Sequence, residues 1–229
     1  MCTATWLMNP DGYELFCNRD ESRTRKTALP PSAQERNGVK FIAPRDGDFG
    51  GTWIAVNEVG LSLCLLNYYP SINDQPLTIS SRSRGLLLSS LIDSGSVAEA
   101  AARLRRTSLE IFRPFLMLVL ALGNPVGQHA WDGRKLSSAK ARLPVTTSSF
   151  DTANVIAARQ AKFGELQGEA YHMSRDERGG AYSVCMTRDD AQTVSFSHII
   201  VGPEEVEFEY KPLAPEGIAT RLSLPRQNL

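Results

Sequence analysis

The sequence predicts an α+β fold in which helices cover antiparallel sheets. Three observations carry that expectation. Strand-like segments come in blocks, in the order strands, helices, strands, helix, strands, and do not alternate one by one with helices. Several are joined by short turns of the kind that close antiparallel hairpins. At 229 residues and 42% hydrophobic, the chain holds enough apolar surface for a sizeable core. No internal repeat, low-complexity tract or linker divides it, so residues 1–229 read as a single domain.

The elements follow from the residues in order. Thr3 to Met8 leads into Asn9-Pro10-Asp11-Gly12, and Tyr13 to Asn18 returns. Proline at the second turn position and glycine at the fourth fit a type I turn. A second hairpin runs from Thr52 to Asn57, turns at Glu58-Val59-Gly60 and returns from Leu61 to Asn67. Ser81 to Ile92 then shows a helical run of leucines that stops near Gly95. Ser96 is placed to cap a second helix, Val97 to Arg106. Phe115 to Ala121 reads as a buried strand ended by Gly123-Asn124-Pro125, and Gln128 to Trp131 begins another hairpin at Asp132-Gly133. Asp151 or Thr152 caps a third helix, Ala153 to Leu166. Tyr182 to Thr187, Thr193 to Val201 and Val206 to Tyr210 complete the strands.

Composition narrows the function. Lys+Arg and Asp+Glu both number 25, a balance that argues against nucleic acid or an anionic membrane as the main partner. The N-terminal residues lack the basic and apolar regions of a secretion signal, and the apolar run from Phe115 to Leu122 is too short to span a bilayer. Cys2, Cys17, Cys64 and Cys185 form no C-x-x-C pair and have no histidine at metal-ligand spacing. A reduced, cytoplasmic protein with no metal is expected.

Cys2 is the leading candidate for chemistry. Cysteine is small enough for the initiator methionine to be removed before it, so the mature chain is expected to begin at Cys2. A free α-amine of pKa roughly 7.7–8 and a thiol of roughly 8.5 on one residue form a nucleophile with its own base. Hairpin counting places a charged run beside it. With a four-residue turn, Met8 pairs with Tyr13 and Cys2 faces Arg19; with a three-residue loop and Gly12 as bulge, Cys2 faces Asp20. In the first role Arg19 would stabilise a thiolate; Asp20 would hold a protonated α-amine. The second hairpin puts Asn67 opposite Gly51 of the Gly50-Gly51 pair, where glycine leaves room for backbone or ligand. Its amide suits an oxyanion hole or a strand-end cap equally.

The segments MCTATWL, CNRDES, GGTWIAVNEVGLSLCLLNYYP and SRSRG resemble the NRDE-domain family, which includes the eukaryotic transport and Golgi organisation proteins. The family takes its name from the run seen here as Asn18-Arg19-Asp20-Glu21. The likeness is tight to about residue 85 and looser in TSSF and SVCMTRDDAQTVSF. More distantly, the same segments are similar to the cholylglycine hydrolase and penicillin V acylase group of N-terminal nucleophile hydrolases. That similarity implies a four-layer αββα sandwich, with Cys2 as nucleophile, its amine as base and Asn67 in the oxyanion hole. The group has an Arg and an Asp spaced apart after the second strand; here Arg19 and Asp20 are adjacent, with Asn18 and Glu21 as alternative occupants. Where the group has an Asn before the third helix, this chain offers Thr147 or Ser148. Arg188 is the candidate for a second-half arginine.

Other side chains bear on binding. Arg82 and Arg84, at a helix start, are placed to hold a carboxylate or phosphate, and Trp53 beside the glycine pair to wall a pocket. His129, His172 and His198 are scattered, and alternation marks His198 as the one to be buried. Two function classes follow. One is a cysteine amidohydrolase acting on a small acylated amide and needing no cofactor. The other is a non-catalytic binding and trafficking protein for haem or acyl-CoA/lipid, with Cys2 as a haem ligand or unused and Arg82 and Arg84 meeting propionate or phosphate.

Overall fold

The computed structural model describes residues 2–70 and 82–227. In chain order the strands before the first helix are β1 (Cys2–Asn9), β2 (Gly12–Ser22), β3 (Leu29–Arg36), β4 (Val39–Arg45), β5 (Ile54–Asn57) and β6 (Ser62–Asn67). Helices α1 (Arg84–Ser89) and α2 (Val97–Arg106) follow, then β7 (Phe115–Leu120), β8 (Gly127–Trp131), β9 (Leu136–Lys140) and β10 (Val145–Thr147). Helices α3 (Thr152–Glu165) and α4 (Gly168–His172) precede β11 (Ala191–Val201), β12 (Glu205–Pro212) and β13 (Thr220–Pro225).

Two antiparallel sheets result. One has the order β10-β1-β2-β11-β12-β13 and the other β3-β4-β5-β6-β7-β8-β9. They pack face to face around Ala4, Leu15, Ile54, Leu66, Leu118 and Phe208. The second sheet buries its other face under α1 and α2, through Leu63, Phe115, Met117, Leu87, Leu88 and Leu104. The first is backed by α3 and α4, where His172 packs beside Phe16 and Phe196, and Tyr171 packs edge-on against His172 and Phe163. These are the four layers, helix, sheet, sheet, helix. Strand β7 shows why they hold: alternate residues point to opposite faces, so Leu116, Leu118 and Leu120 join one core while Phe115, Met117 and Val119 join the other. A strand apolar at every position is what two buried faces require.

Both counted registers are observed. Met8 pairs with Tyr13 and Cys2 with Arg19, as the four-residue turn requires. Ile54 pairs with Cys64 and Asn57 N–H bonds to Leu61 O, the frame that sets Asn67 against Gly51. Ser96 caps α2 by accepting from Glu99 N–H at 3.1 Å, and Glu99 returns a bond from Gly95 N–H.

Other elements differ from expectation. The helix expected over 81–92 spans only Arg84–Ser89, with turns continuing to Ser94; Ser81 lies outside the described residues. Asp151 precedes α3 but caps nothing, because its carboxylate takes the Tyr182 hydroxyl at 2.6 Å. Tyr182 to Thr187 is not a strand. Its amides bond to the Ser174 carbonyl and the Thr193 hydroxyl, leaving one bridge, Thr187 to Gln192. The room at Gly51 is taken by backbone: a Cβ there would lie 2.4 Å from Gly85 C, at the start of α1.

Candidate functional site

At one end of the sandwich the two sheets part around a cavity of about 840 Å³. Cys2, Arg19, Asp20 and Glu21 line it from the first sheet, and Trp53 and Asn67 from the second. Arg82 and Arg84 close it from the start of α1. Eight of the twelve residues singled out from the sequence therefore share one wall system. The other four lie elsewhere.

Cys2 sits at the end of β1 between Arg19 and Thr147, its register partners on either side. Its backbone nitrogen donates to Thr147 Oγ1 at 3.3 Å. Burial pushes the thiol up to about 12, so with Met1 attached it is held protonated. The adjacent cation does not offset this. Arg19 turns its guanidinium to Asp46 Oδ2 at 2.7 Å and Glu21 Oε2 at 3.2 Å, and lies 4.4 Å over the Trp53 ring. It is thus committed to carboxylates and an indole face. Arg25 binds the same Asp46 carboxylate at 2.7 Å, and Asp46 also accepts from the backbone N–H groups of Asp48 and Phe49.

Asp20 is a neighbour of opposite habit. Its Oδ1 accepts from Thr193 Oγ1 at 2.6 Å, while Oδ2, wholly buried, has no hydrogen-bond partner among the described residues and lies 3.6 Å from Arg159 Nη1. Arg159 is itself fully buried and donates to Thr3 Oγ1, Thr146 Oγ1 and the Ala181 carbonyl. Thr3 and Thr146 are the residues next to Cys2 and Thr147, so this guanidinium braces the strands that hold the thiol. Asn67 half emerges into the cavity and donates to the Tyr69 hydroxyl at 3.3 Å, a long bond that leaves the amide free to turn. Arg84 donates to the Pro114 carbonyl at 2.8 Å, and burial lowers its pKa.

Other expected residues lie outside the main cavity, and one reading of burial is corrected. Asn18 points behind the sheet, donating to the carbonyls of His172 at 2.7 Å and Val184 at 3.1 Å, because alternation along β2 sends it away from Arg19. Thr147 and Ser148 line a second cavity of about 480 Å³, which shares Tyr68 and Tyr69 with the first. Arg188 lies in a turn outside both, paired to Asp190 at 2.9 Å and stacked on Phe150. The fully buried histidine is His172, not His198, which is half-buried between Glu14 and the Phe16 ring.

Sequence reasoning missed Asp46 and Arg159. Asp46 lies in a loop, with no periodicity to mark it. Arg159 carried a signal: it stands four residues after Val155, on the face of α3 that the apolar pattern buries. No histidine lines the main cavity, and among the described residues no group of three His, Cys, Asp or Glu side chains could hold a metal. No helix among them is long and apolar enough to cross a membrane.

Solved structures share this architecture. A penicillin V acylase from Agrobacterium tumefaciens matches at TM-score 0.57 and 12% identity, covering 97% of this chain and 86% of that one. The N-acylethanolamine-hydrolyzing acid amidase orthologue of Caenorhabditis elegans matches at TM-score 0.62 and 14% identity, over 87% and 92%. A variant of the conjugated bile acid hydrolase from Clostridium perfringens matches at TM-score 0.58 and 12% identity, over 100% and 97%. At such identities the likeness is one of fold, that of the N-terminal nucleophile hydrolases. No curated protein matches at the level of sequence. The family described as Transport and Golgi organisation 2 matches residues 1–168, nearly three quarters of the sequence, and the chain belongs to that family.

Proposed function

We propose that the protein is a cysteine amidohydrolase of the N-terminal nucleophile type, acting on a small acylated amide in the main cavity. The observation that carries this reading is that Cys2, Asp20 and Asn67, drawn from both sheets, line one cavity. Removal of Met1 would give Cys2 the base that its buried thiol lacks. The thiol proton passes to the α-amine, and the sulfur attacks the amide carbon. The Asn67 amide donates to the oxyanion, and the α-ammonium returns its proton to the leaving amine. Water then cleaves the thioester by the same base. Asp20, whose buried Oδ2 carries no hydrogen bond among the described residues and stands 3.6 Å from Arg159, supplies negative charge near Cys2 that steadies the ammonium. The three matched hydrolases support the scaffold for this chemistry. Four unpaired thiols suit a reducing, cytoplasmic setting.

A carrier of haem or acyl-CoA is the second reading. It is favoured by Arg82 and Arg113, which line the cavity with no carboxylate partner among the described residues. Two measurements separate the readings. Intact mass reports whether Met1 is removed, and retention would sink the amidase mechanism. In the processed protein Cys2→Ala abolishes hydrolysis across a panel of N-acyl amides if Cys2 is the nucleophile. Stoichiometric haem or acyl-CoA binding unchanged by Cys2→Ala, with no turnover in the parent, would favour the carrier.

A further inference from the structure

Cys17 on β2 and Cys64 on β6 face each other across the two sheets, with their sulfur atoms 3.7 Å apart. Both are reduced and essentially unexposed, at 1% and 0%. They are 47 positions apart in sequence, so no spacing motif announces the pair. A disulfide needs about 2.05 Å between sulfurs, and face-to-face sheets are bridged by such bonds in immunoglobulin domains. The fully buried residue opposite Cys17 in register is Ala4, whose small side chain leaves the thiol room to turn. A third thiol belongs to the same packed cluster: Cys2 lies on the same face as Cys17, two residue pairs along the hairpin and diagonal to it, and lines the cavity.

We propose that Cys17 and Cys64 are a redox-modification site that forms an inter-sheet disulfide, with Cys2 as the entry point for a hydroperoxide. This step rests on the removal of Met1 proposed above. The freed α-amine takes the Cys2 proton, and the thiolate sulfur attacks the hydroperoxide and becomes a sulfenic acid. The ammonium returns the proton to the departing alcohol, or to water when the oxidant is hydrogen peroxide. The Cys17 thiol attacks that sulfur; a Cys2–Cys17 disulfide forms and water departs with the thiol proton. The Cys64 thiol then attacks Cys17 sulfur, and Cys2 leaves as the restored thiol. In sum, one hydroperoxide and two thiols give one disulfide, one alcohol and one water. The hydrogen bond with Cys64, together with burial, raises the Cys17 pKa, so the pair stays reduced until a sulfenic acid forms beside it.

The bond would join two strands that carry the cavity. Cys17 stands two residues before Arg19 and Cys64 three before Asn67. Oxidation would therefore fix the spacing between the two walls while leaving Cys2 free. In a reducing compartment, bonds of this kind are transient and serve as sensors.

The test is peptide mapping of the intact protein after mild hydrogen peroxide and alkylation, with half-exposed Cys185 as the marker of general oxidation. The expected product is a Cys17–Cys64 linked peptide, with Cys2 alkylated. It is lost in Cys17→Ala and in Cys64→Ala, and it forms more slowly in Cys2→Ala. On the unmodified sequence, peroxide should raise Tm and dithiothreitol should return it, a readout that survives if a variant fails to fold. Oxidation of Cys185 with Cys17 and Cys64 still free overturns the site. A linked peptide forming at the parental rate in Cys2→Ala overturns the entry through Cys2. Neither outcome bears on amide hydrolysis, which is measured separately.

Discussion

The two faces of β2 solve opposite problems with the same kinds of residue. Toward the cavity, Arg19 and Glu21 join Arg25, Asp46 and Asp48 in a cluster whose charges interlock and whose rim reaches water. Behind the sheet, Asn18 and the carboxylate of Asp20, a residue that also borders the cavity, join Thr193, Arg159 and His172 in a dry network. The front holds several ion pairs, each with a share of solvent and an alternative partner. The rear holds one arginine and one aspartate, both wholly buried, with one carboxylate oxygen left without a hydrogen bond. The front can rearrange around a ligand at small cost, because water replaces a lost partner. The rear cannot, and its rigidity fixes the strands on which Cys2 and Arg19 sit.

The comparison breaks first at Arg159. Arg159→Met should lower stability by about 3–5 kcal/mol, since it strands Asp20 as an unpaired buried charge. Urea unfolding measures this loss. A double change with Asp20→Asn should recover part of it, because the charge and its partner are then both gone. A cost below about 1 kcal/mol, the ordinary value for exposed pairs, would mean that the rear network is no more demanding than the front.

His172 offers the next test, through pH. Its ring accepts from or donates to Thr5 Oγ1 at 2.8 Å and Asn18 Oδ1 at 3.1 Å, and burial lowers its pKa to about 3 from the usual 6.5. Above pH 6.5 neither folded nor unfolded chain protonates this ring, and it contributes no pH dependence. Between about 6.5 and 3 only the unfolded chain takes the proton, so stability falls as pH falls. The slope is about 1.4 kcal/mol per unit, or about 2 kcal/mol lost from this group by pH 5. His172→Gln should flatten the pH dependence by that amount when urea midpoints are compared between pH 7 and 5. Equal slopes in the two proteins would show that the ring is protonated in place.

How far the sequence reaches follows the same division. The front was legible where local rules act. A short turn with proline and glycine at fixed places sets the first hairpin, and a side-chain period of two then brings Cys2 against Arg19. The second hairpin fixes Asn67 in the same way. The rear was not legible, because Arg159 reaches Asp20 and Thr3 from a helix far along the chain, and helical spacing shows a buried face without saying what it meets. Strand β3 was hidden for another reason: it carries two prolines and mostly exposed side chains, as an edge strand tolerates. Arg188 lies outside both cavities because the chain turns between Thr187 and Gln192 and directs the guanidinium to Asp190, a placement that the looser resemblance of the second half could not show.

The smallest effect belongs to Arg25, and it sharpens the contrast because its contacts look stronger than those of Arg159. It bonds Asp46 at 2.7 Å and Asp48 at 2.5 Å, whereas Arg159 stands 3.6 Å from its carboxylate. Distance alone would rank Arg25 as the more important. Solvent reverses the order, since its side chain is 28% exposed and Asp46 keeps Arg19 as a second partner. Arg25→Gln should therefore cost under about 1 kcal/mol. Added salt should shrink the difference further, because the charges lie within reach of mobile ions. The check is urea unfolding of both proteins at low and high sodium chloride. A loss as large as that of Arg159→Met, insensitive to salt, would show that the front cluster is as rigid as the rear, and that ligand entry must be accommodated by the arginines at the start of α1.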